Sequence, residues 1–182
     1  MINNKPNGVG NYRQGLYVPK NNEKVYKLNE KGGLYYRSSW ELTTMRYLDY
    51  CDDVVLWGCE CLEIPYQLTK PDKLGIVKVS NHRYYPDFYY KLKMKDNSIR
   101  EILLEVKPKE QTVPPKWKDG SKLTQKQLKN YEWSINEYNR NMSKWEATLE
   151  YCTPKGIEFK FLTKEQVDRM LRSQINNFDV DD

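Results

Sequence analysis

Two acidic residues and a lysine lie near the ends of apolar segments, where they could do chemistry together. Asp87 follows a proline in YPDF, and Glu105 and Lys107 lie in LLEVKP. Because side chains at positions i and i+2 leave the same face of a strand, we expect Glu105 and Lys107 to point into the same space. The two carboxylates are hard oxygen ligands. With a strand carbonyl such as that of Val106, they suit Mg2+ or Mn2+.

A metal ion held in this way would support phosphodiester hydrolysis. The ion polarises the scissile phosphate and lowers the pKa of bound water, while Lys107 orients that water or stabilises charge in the transition state. Taken singly, Asp87 reads as a polar residue at a strand end, and Glu105 with Lys107 as a solvated strand face with a weak ion pair. An apolar strand that turns charged at its end, one hairpin after a Pro-Asp pair, favours a functional site.

Glu41 has two interpretations. Ser38 followed three residues later by Glu41 is the pattern of a capping box, and on sequence alone this structural role accounts for Glu41. If the helix that begins there packs across the edge of the sheet, Glu41 could instead hold a second metal ion or a metal-bound water. Both interpretations stay open at this point.

The composition excludes several other chemistries. The 182 residues include one histidine, His82, and four cysteines without a CxxC pair. We therefore expect no structural zinc, no disulfide framework and no chemistry that needs two histidines. Thirty Lys and Arg residues against 25 Asp and Glu give a formal charge of +5, which is compatible with a nucleic-acid partner. The fifteen tyrosines and five tryptophans either line such a surface or fill a core poor in aliphatic residues.

A helix followed by a meander of strands would bring the candidate residues together. Apolar periodicity and the cap at Ser38 predict this helix over 39–50, with strands, a long helix, a strand and a final helix after it. The predicted extended segments are 60–68, 74–92 with a turn at 80–81, and 101–107. The later elements are a helix from 123 to about 151, with 139–143 as a candidate interruption, a strand over 157–162, and a helix to about 172.

The length favours one domain with irregular ends. We expect a single domain over 34–172, preceded by an irregular basic arm over 1–33 and followed by an acidic tail over 173–182. No apolar run approaches membrane-spanning length, and the N-terminus lacks the apolar stretch of a secretory signal. We therefore expect the protein to be made and kept in a cytoplasm.

The chain resembles the transposon-endonuclease branch of the PD-(D/E)xK superfamily. Within that branch it is most similar to the head completion nucleases of large contractile-tailed bacteriophages. The resemblance runs from Val18 to about Glu165 and includes YRSSWE at 36–41, WG at 57–58, IPY at 64–66, YPDF at 85–88 and LEVKPK at 104–109.

This resemblance implies a restriction-endonuclease-like α/β core, with a mixed central sheet flanked by helices in the order αβββαβ. It implies a DNA endonuclease dependent on Mg2+ or Mn2+, with Asp87, Glu105 and Lys107 at the active site and Glu41 as a further catalytic carboxylate. It also implies a late role in head assembly, in the host cytoplasm or on the virion, when DNA-filled heads are made ready for the neck and tail. The implied partners are DNA and the phage portal or neck proteins.

Four basic residues are candidate phosphate contacts: Arg37, Lys109, Lys116 and Lys118. Arg37 comes just before the first helix and Lys109 just after the active strand, and Lys116 and Lys118 lie in the loop that follows. Exposed basic residues are more often only solvated. A second class of function also fits the sequence. A structural neck or portal-associated protein could keep a nuclease fold for DNA binding alone, although it would have no physical reason to keep the carboxylates and the lysine together.

Overall fold

The fold is a mixed sheet with helices on both faces. The computed structural model describes residues 14–71, 74–117 and 124–178, with side chains as far as 172, and no helix within these ranges is long and apolar enough to cross a membrane. The helices are α1 (Ser39–Tyr50), α2 (Gln125–Cys152) and α3 (Lys164–Phe178). The strands are β1 (Gly15–Tyr17), β2 (Leu34–Tyr36), β3 (Val54–Cys59), β4 (Ile64–Pro71), β5 (Val77–Tyr84), β6 (Phe88–Lys93), β7 (Ile99–Val106) and β8 (Glu158–Leu162).

The central sheet has the strand order β3-β6-β7-β8. The first three strands are antiparallel, whereas β8 runs parallel to β7 and is reached through the long crossover helix α2. This arrangement confirms the predicted α/β class with a mixed sheet between helices. Strand β7, which carries Glu105, is thereby an interior strand of the sheet.

Successive side chains of each strand point to opposite faces of the sheet, and both faces are buried. One face packs against α1 and α3 through a cluster that includes Met45, Trp57, Phe88, Leu104 and Val167. The other face packs against α2 and against the two-stranded ribbon formed by β4 and β5, through a cluster that includes Ile64, Tyr84, Tyr89, Leu103 and Cys152. Neighbouring residues Leu103 and Leu104 therefore serve opposite faces.

Several predicted element boundaries differ from the structure. Strand β3 (Val54–Cys59) is separate and precedes the predicted start at 60, and β5 continues through the turn predicted at 80–81. There Ser80 pairs with Leu68, and its hydroxyl donates to the Leu68 carbonyl, which satisfies a polar residue inside the ribbon. Helix α2 is continuous across 139–143, and there Ser143 donates its hydroxyl to the carbonyl of Asn139, one turn earlier in the same helix.

Part of the predicted N-terminal arm lies against the domain. Strand β1 pairs with β2, and the buried carboxylate of Asp49 accepts hydrogen bonds from the Tyr17 hydroxyl at 2.6 Å and from the Lys20 and Asn21 backbone amides at 2.8 and 3.0 Å. The Asp49 carboxylate thus holds residues 17–21 in place, although their sequence has no apolar periodicity. Helix α3 continues to Phe178, past the predicted end at 172, while residues 1–13 and 179–182 of the predicted arm and tail lie outside the described residues.

Candidate active site

Asp87 lies in the short connection between β5 and β6, next to the end of β7. Its Oδ2 atom accepts a hydrogen bond from the backbone amide of Val106 at 2.7 Å, and its backbone carbonyl accepts one from the Glu60 amide at 3.1 Å. The preceding residue, Pro86, is fully buried and fixes the connection against the core. The Asp87 carboxylate is therefore held beside the strand that carries Glu105.

Glu105 is a buried carboxylate near the end of β7, with only 3% of the residue exposed. Its Oε2 atom accepts a hydrogen bond from the hydroxyl of Tyr84, and its Oε1 atom lies 3.1 Å from the Nζ atom of Lys107. A carboxylate this deep in a protein needs such partners, because an unpaired buried charge is strongly disfavoured.

Lys107 follows β7 and shares the side of the chain that Glu105 occupies, as the i and i+2 spacing predicted. About a quarter of its side chain, 26%, is exposed. Burial alone would lower the pKa of Lys107, but the carboxylates of Glu105 and Asp87 outweigh it and the pKa is raised. Lys107 is thus a cation at neutral pH that is still partly exposed to solvent.

Glu41 occupies the first turn of α1 and does act as a capping residue. Its backbone amide donates to the Ser38 hydroxyl at 3.1 Å, which in turn donates to Glu41 Oε1 at 2.9 Å. The other oxygen, Oε2, accepts from the Arg37 amide at 2.8 Å. The charge of Glu41 also contributes to the raised pKa values of Asp87 and Lys107, so it lies within electrostatic reach of both. The two interpretations of Glu41 are compatible.

The carboxylates repel one another. Burial, followed by the negative charge of Glu105, holds the pKa of Asp87 well above its usual range, against the opposing effects of the Val106 amide and Lys107. Glu41 adds to the same repulsion. A cation that enters a site with so much negative charge relieves this repulsion and stabilises the protein.

The donor set fits a hard divalent cation. Within the described ranges, no group of three or more His, Cys, Asp or Glu side chains is arranged to hold a metal. An ion here would therefore rest on Asp87, Glu105, the Val106 carbonyl and water. That set suits Mg2+, which keeps several waters and takes one or two protein carboxylates. The repulsion between Asp87 and Glu105 supports the same assignment, which stays a proposal.

The four predicted phosphate contacts differ in their surroundings. Arg37 is engaged with Glu60, through its Nη1 atom and through a second bond from Nη2 at 3.2 Å. Lys109 lies in a 3-10 turn just after β7 and is exposed, as is Lys116. Lys118 lies outside the described residues. Lys109 is thus the candidate that combines exposure with closeness to the active strand.

Sequence reasoning missed two residues that the fold brings to this site. The hydroxyl of Tyr84 contacts Glu105, and the ammonium of Lys144, on α2, lies 5.4 Å from the centroid of the Tyr84 ring. Tyr84 is adjacent to the YPDF segment, but it is one of fifteen tyrosines and carried no separate signal. Lys144 lies on a long polar helix, and the sequence pattern gave it no functional role.

Comparison with known proteins identifies the family of this chain. Residues 51–164 match the family described as TnsA-like endonuclease N terminal, a span that includes Asp87, Glu105 and Lys107. The chain is also 34% identical over 151 residues to the head completion nuclease of Enterobacteria phage T4, covering 83% of this chain and 91% of that protein. The chain belongs to the TnsA-like endonuclease family.

Membership of the TnsA-like endonuclease family shows that this chain has a nuclease fold and indicates a nuclease-type activity. It confirms the resemblance predicted from the sequence motifs. The matched span of the family begins after Glu41, so the match does not bear on that residue. No solved structure matches this chain significantly.

Proposed function

We propose that this protein is a Mg2+-dependent DNA endonuclease that acts late in phage head assembly and processes the ends of packaged DNA before the neck and tail attach. The observation that carries the proposal is the cluster at the end of β7. There Asp87 is fixed to the Val106 amide, and Lys107 is paired with the buried Glu105. Mn2+ is expected to replace Mg2+ because both accept oxygen ligands.

In this proposal each residue has a distinct task. Asp87 and Glu105, with the Val106 carbonyl, would hold the ion, which supplies Lewis acidity to the phosphate and a more acidic water when bound. The raised pKa of Lys107 keeps it protonated, so it stabilises negative charge on the phosphate and is not a general base. Glu41 would act as an accessory carboxylate that orients water at the site.

The biological setting follows from the relative. The T4 protein is named for head completion, and the alignment covers 91% of its length. Transferred to this chain, that name supports a substrate of DNA in or at the filled head, with portal or neck proteins as partners. The protein would then act in the host cytoplasm during infection and could stay with the virion.

The test is incubation of the purified full chain with linear, supercoiled circular and branched DNA, with Mg2+, with Mn2+, or with EDTA. We expect cleavage only with the metals, and the preferred substrate reports whether ends, branches or internal sites are cut. DNA binding without cleavage under every condition would overturn the proposal. That result would favour the alternative of a structural head-completion protein that retains a nuclease fold for binding.

A further inference from the structure

A second lysine lies near the proposed active site. Lys144 is on α2, on the side of that helix that faces Tyr84, and its ammonium lies 5.4 Å from the ring centroid. The hydroxyl at the other end of the same ring donates to Glu105. Tyr84, at the end of β5, therefore lies between Lys144 on α2 and the carboxylate of Glu105 on β7.

Lys144 lies among charges of both signs, those of Lys107 and Arg140 and those of Glu105 and Glu137. In the part of the chain that the structure describes, Lys144 forms no salt bridge, whereas Lys107 is paired with Glu105 at 3.1 Å. Its neighbours along α2 include Arg140, which is itself paired with Glu137 at 2.5 Å. Burial is the main cause that lowers the pKa of Lys144. The charge of Glu105 opposes it, the charges of Lys107 and Arg140 lower the pKa further, and that of Glu137 raises it.

A partly buried cation without an ion pair is costly to keep unless it has another partner. The face of Tyr84 supplies some compensation, since an aromatic ring attracts a cation that lies over its face. A group with negative charge entering the site would supply more, because charge-assisted hydrogen bonds are the strongest kind. In a nuclease, the anion that enters is the phosphate backbone.

We infer that Lys144 is a phosphate-binding residue of this site, which contacts the backbone of the DNA strand being cut, at or next to the scissile phosphate. The inference rests on the proposed nuclease function. It adds to Lys107 a second cation that comes from the crossover helix and not from the active strand. One phosphate would then be contacted from β7 and from α2.

The experiment compares Lys144→Met with Lys144→Arg and Lys155→Met. Methionine keeps the apolar stem over the Tyr84 ring but removes the charge, and arginine restores it. Lys155 is a matched control, because its ammonium also lies over a tyrosine ring, 3.9 Å from the centroid of Tyr151, but it is exposed in the 3-10 turn after α2. Thermal melting of each variant checks that the fold is intact.

Two measurements are made on each variant. With Mg2+, the value of kcat/KM on duplex DNA should fall about tenfold to a hundredfold for Lys144→Met, as for the loss of one charged hydrogen bond. Arginine should recover most of it. In an Asp87→Asn background, which is expected to bind without cutting, Lys144→Met should reduce the slope of log Kd against log salt by about 0.9.

The outcomes separate this inference from the proposed function. If Lys144→Met shows the kcat/KM and the salt slope of Lys155→Met, Lys144 only packs against Tyr84 and the inference is overturned while the nuclease stands. If the unmodified chain cuts no DNA, the nuclease proposal fails, and the salt slope still reports whether Lys144 contacts phosphate. A lower melting temperature that arginine does not rescue, with an unchanged slope, also overturns the inference.

Discussion

The hydroxyl of Tyr84 donates a hydrogen bond to the carboxylate of Glu105, although the two residues belong to different sheets. Tyr84 ends β5 of the two-stranded ribbon, and Glu105 lies near the end of β7 in the central sheet. Burial, followed by the negative charge of Glu105, raises the pKa of Tyr84 far above its usual value, so the hydroxyl stays a donor at any physiological pH. This bond ties the ribbon to the proposed metal site.

Replacing Glu105 should therefore have both a catalytic and a structural effect. Glu105→Ala leaves the Tyr84 hydroxyl without its acceptor and Lys107 without its ion pair, which should cost about 1–3 kcal/mol of unfolding free energy. Glu105→Gln keeps an acceptor and should cost less. Both variants should lose cleavage in a gel assay, and urea denaturation measures the stability. Equal stabilities for the two variants would contradict the structural part of the prediction.

Asp87→Asn should abolish cleavage while the stability of the metal-free protein holds or rises. The amide can still accept from the Val106 amide group, but it removes the charge that burial and Glu105 disfavour. Differential scanning fluorimetry with and without Mg2+ should show a metal-induced rise in Tm for the unmodified chain and a much smaller one for the variant. Asp52→Asn, at an exposed turn, is the control. Full cleavage by Asp87→Asn would sink the site assignment.

Glu41→Gln distinguishes capping from catalysis. Glutamine can accept from the Arg37 amide and can still exchange a hydrogen bond with the Ser38 hydroxyl, so we expect a change in Tm of only a few degrees. The charge is lost, and the cleavage rate should fall at least tenfold if that charge serves the site. Wild-type cleavage with wild-type stability would mean that Glu41 is only a cap.

Salt dependence should locate the DNA path. Neutralising Lys116 and Lys118 should flatten the dependence of binding on salt by about 0.9 per lost phosphate contact and weaken all sequences alike. Lys93 and Lys95 are exposed at the opposite end of β6 from Asp87, so their double alanine variant is the matched control. Equal slopes for the two double variants, measured by fluorescence anisotropy, would place the DNA elsewhere.

Acid stability should depend on Glu158 of β8. Hydrogen bonds from Arg100, followed by those from Lys160, lower its pKa to about 2. A depressed carboxyl pKa contributes stability that is present above the unfolded value of about 4.3 and is lost as pH falls toward 2. Because solvent screens this pair, the effect should stay below about 1 kcal/mol. Urea midpoints at pH 7 and pH 3 should therefore differ less for Glu158→Gln than for the unmodified chain, with exposed Glu150→Gln as control.

Local signals were enough to predict α1 and β7, the elements that carry Glu41 and Glu105. Ser38 as the cap fixed the start of α1, which runs over the predicted residues 39–50. The change from apolar to charged residues marked the end of β7, and Glu105 and Lys107 do share one side of it. These inferences succeeded because they depend on the spacing of neighbouring residues along one element.

Inferences that depend on tertiary placement were less successful. Nearly all of β5 is exposed, so its sequence lacks the alternation that marks a half-buried strand, and its continuity through Ser80 comes from pairing with β4. Asp49 orders the segment before β2 from a position 28–32 residues away, which local pattern cannot reveal. Tyr84 and Lys144 meet at the site for the same reason.

The position of β7 in the sheet has a consequence for the order in which the chain becomes active during synthesis. β6 precedes β7, but β8, its parallel neighbour, follows only after the 28 residues of α2. Until Leu162 has left the ribosome, β7 is an open edge, and such edges invite pairing with other chains. We therefore expect nascent chains to hold no DNA-cutting activity before β8 docks. The folded, active form of this protein should therefore be present in the cell only after most of the chain has been translated.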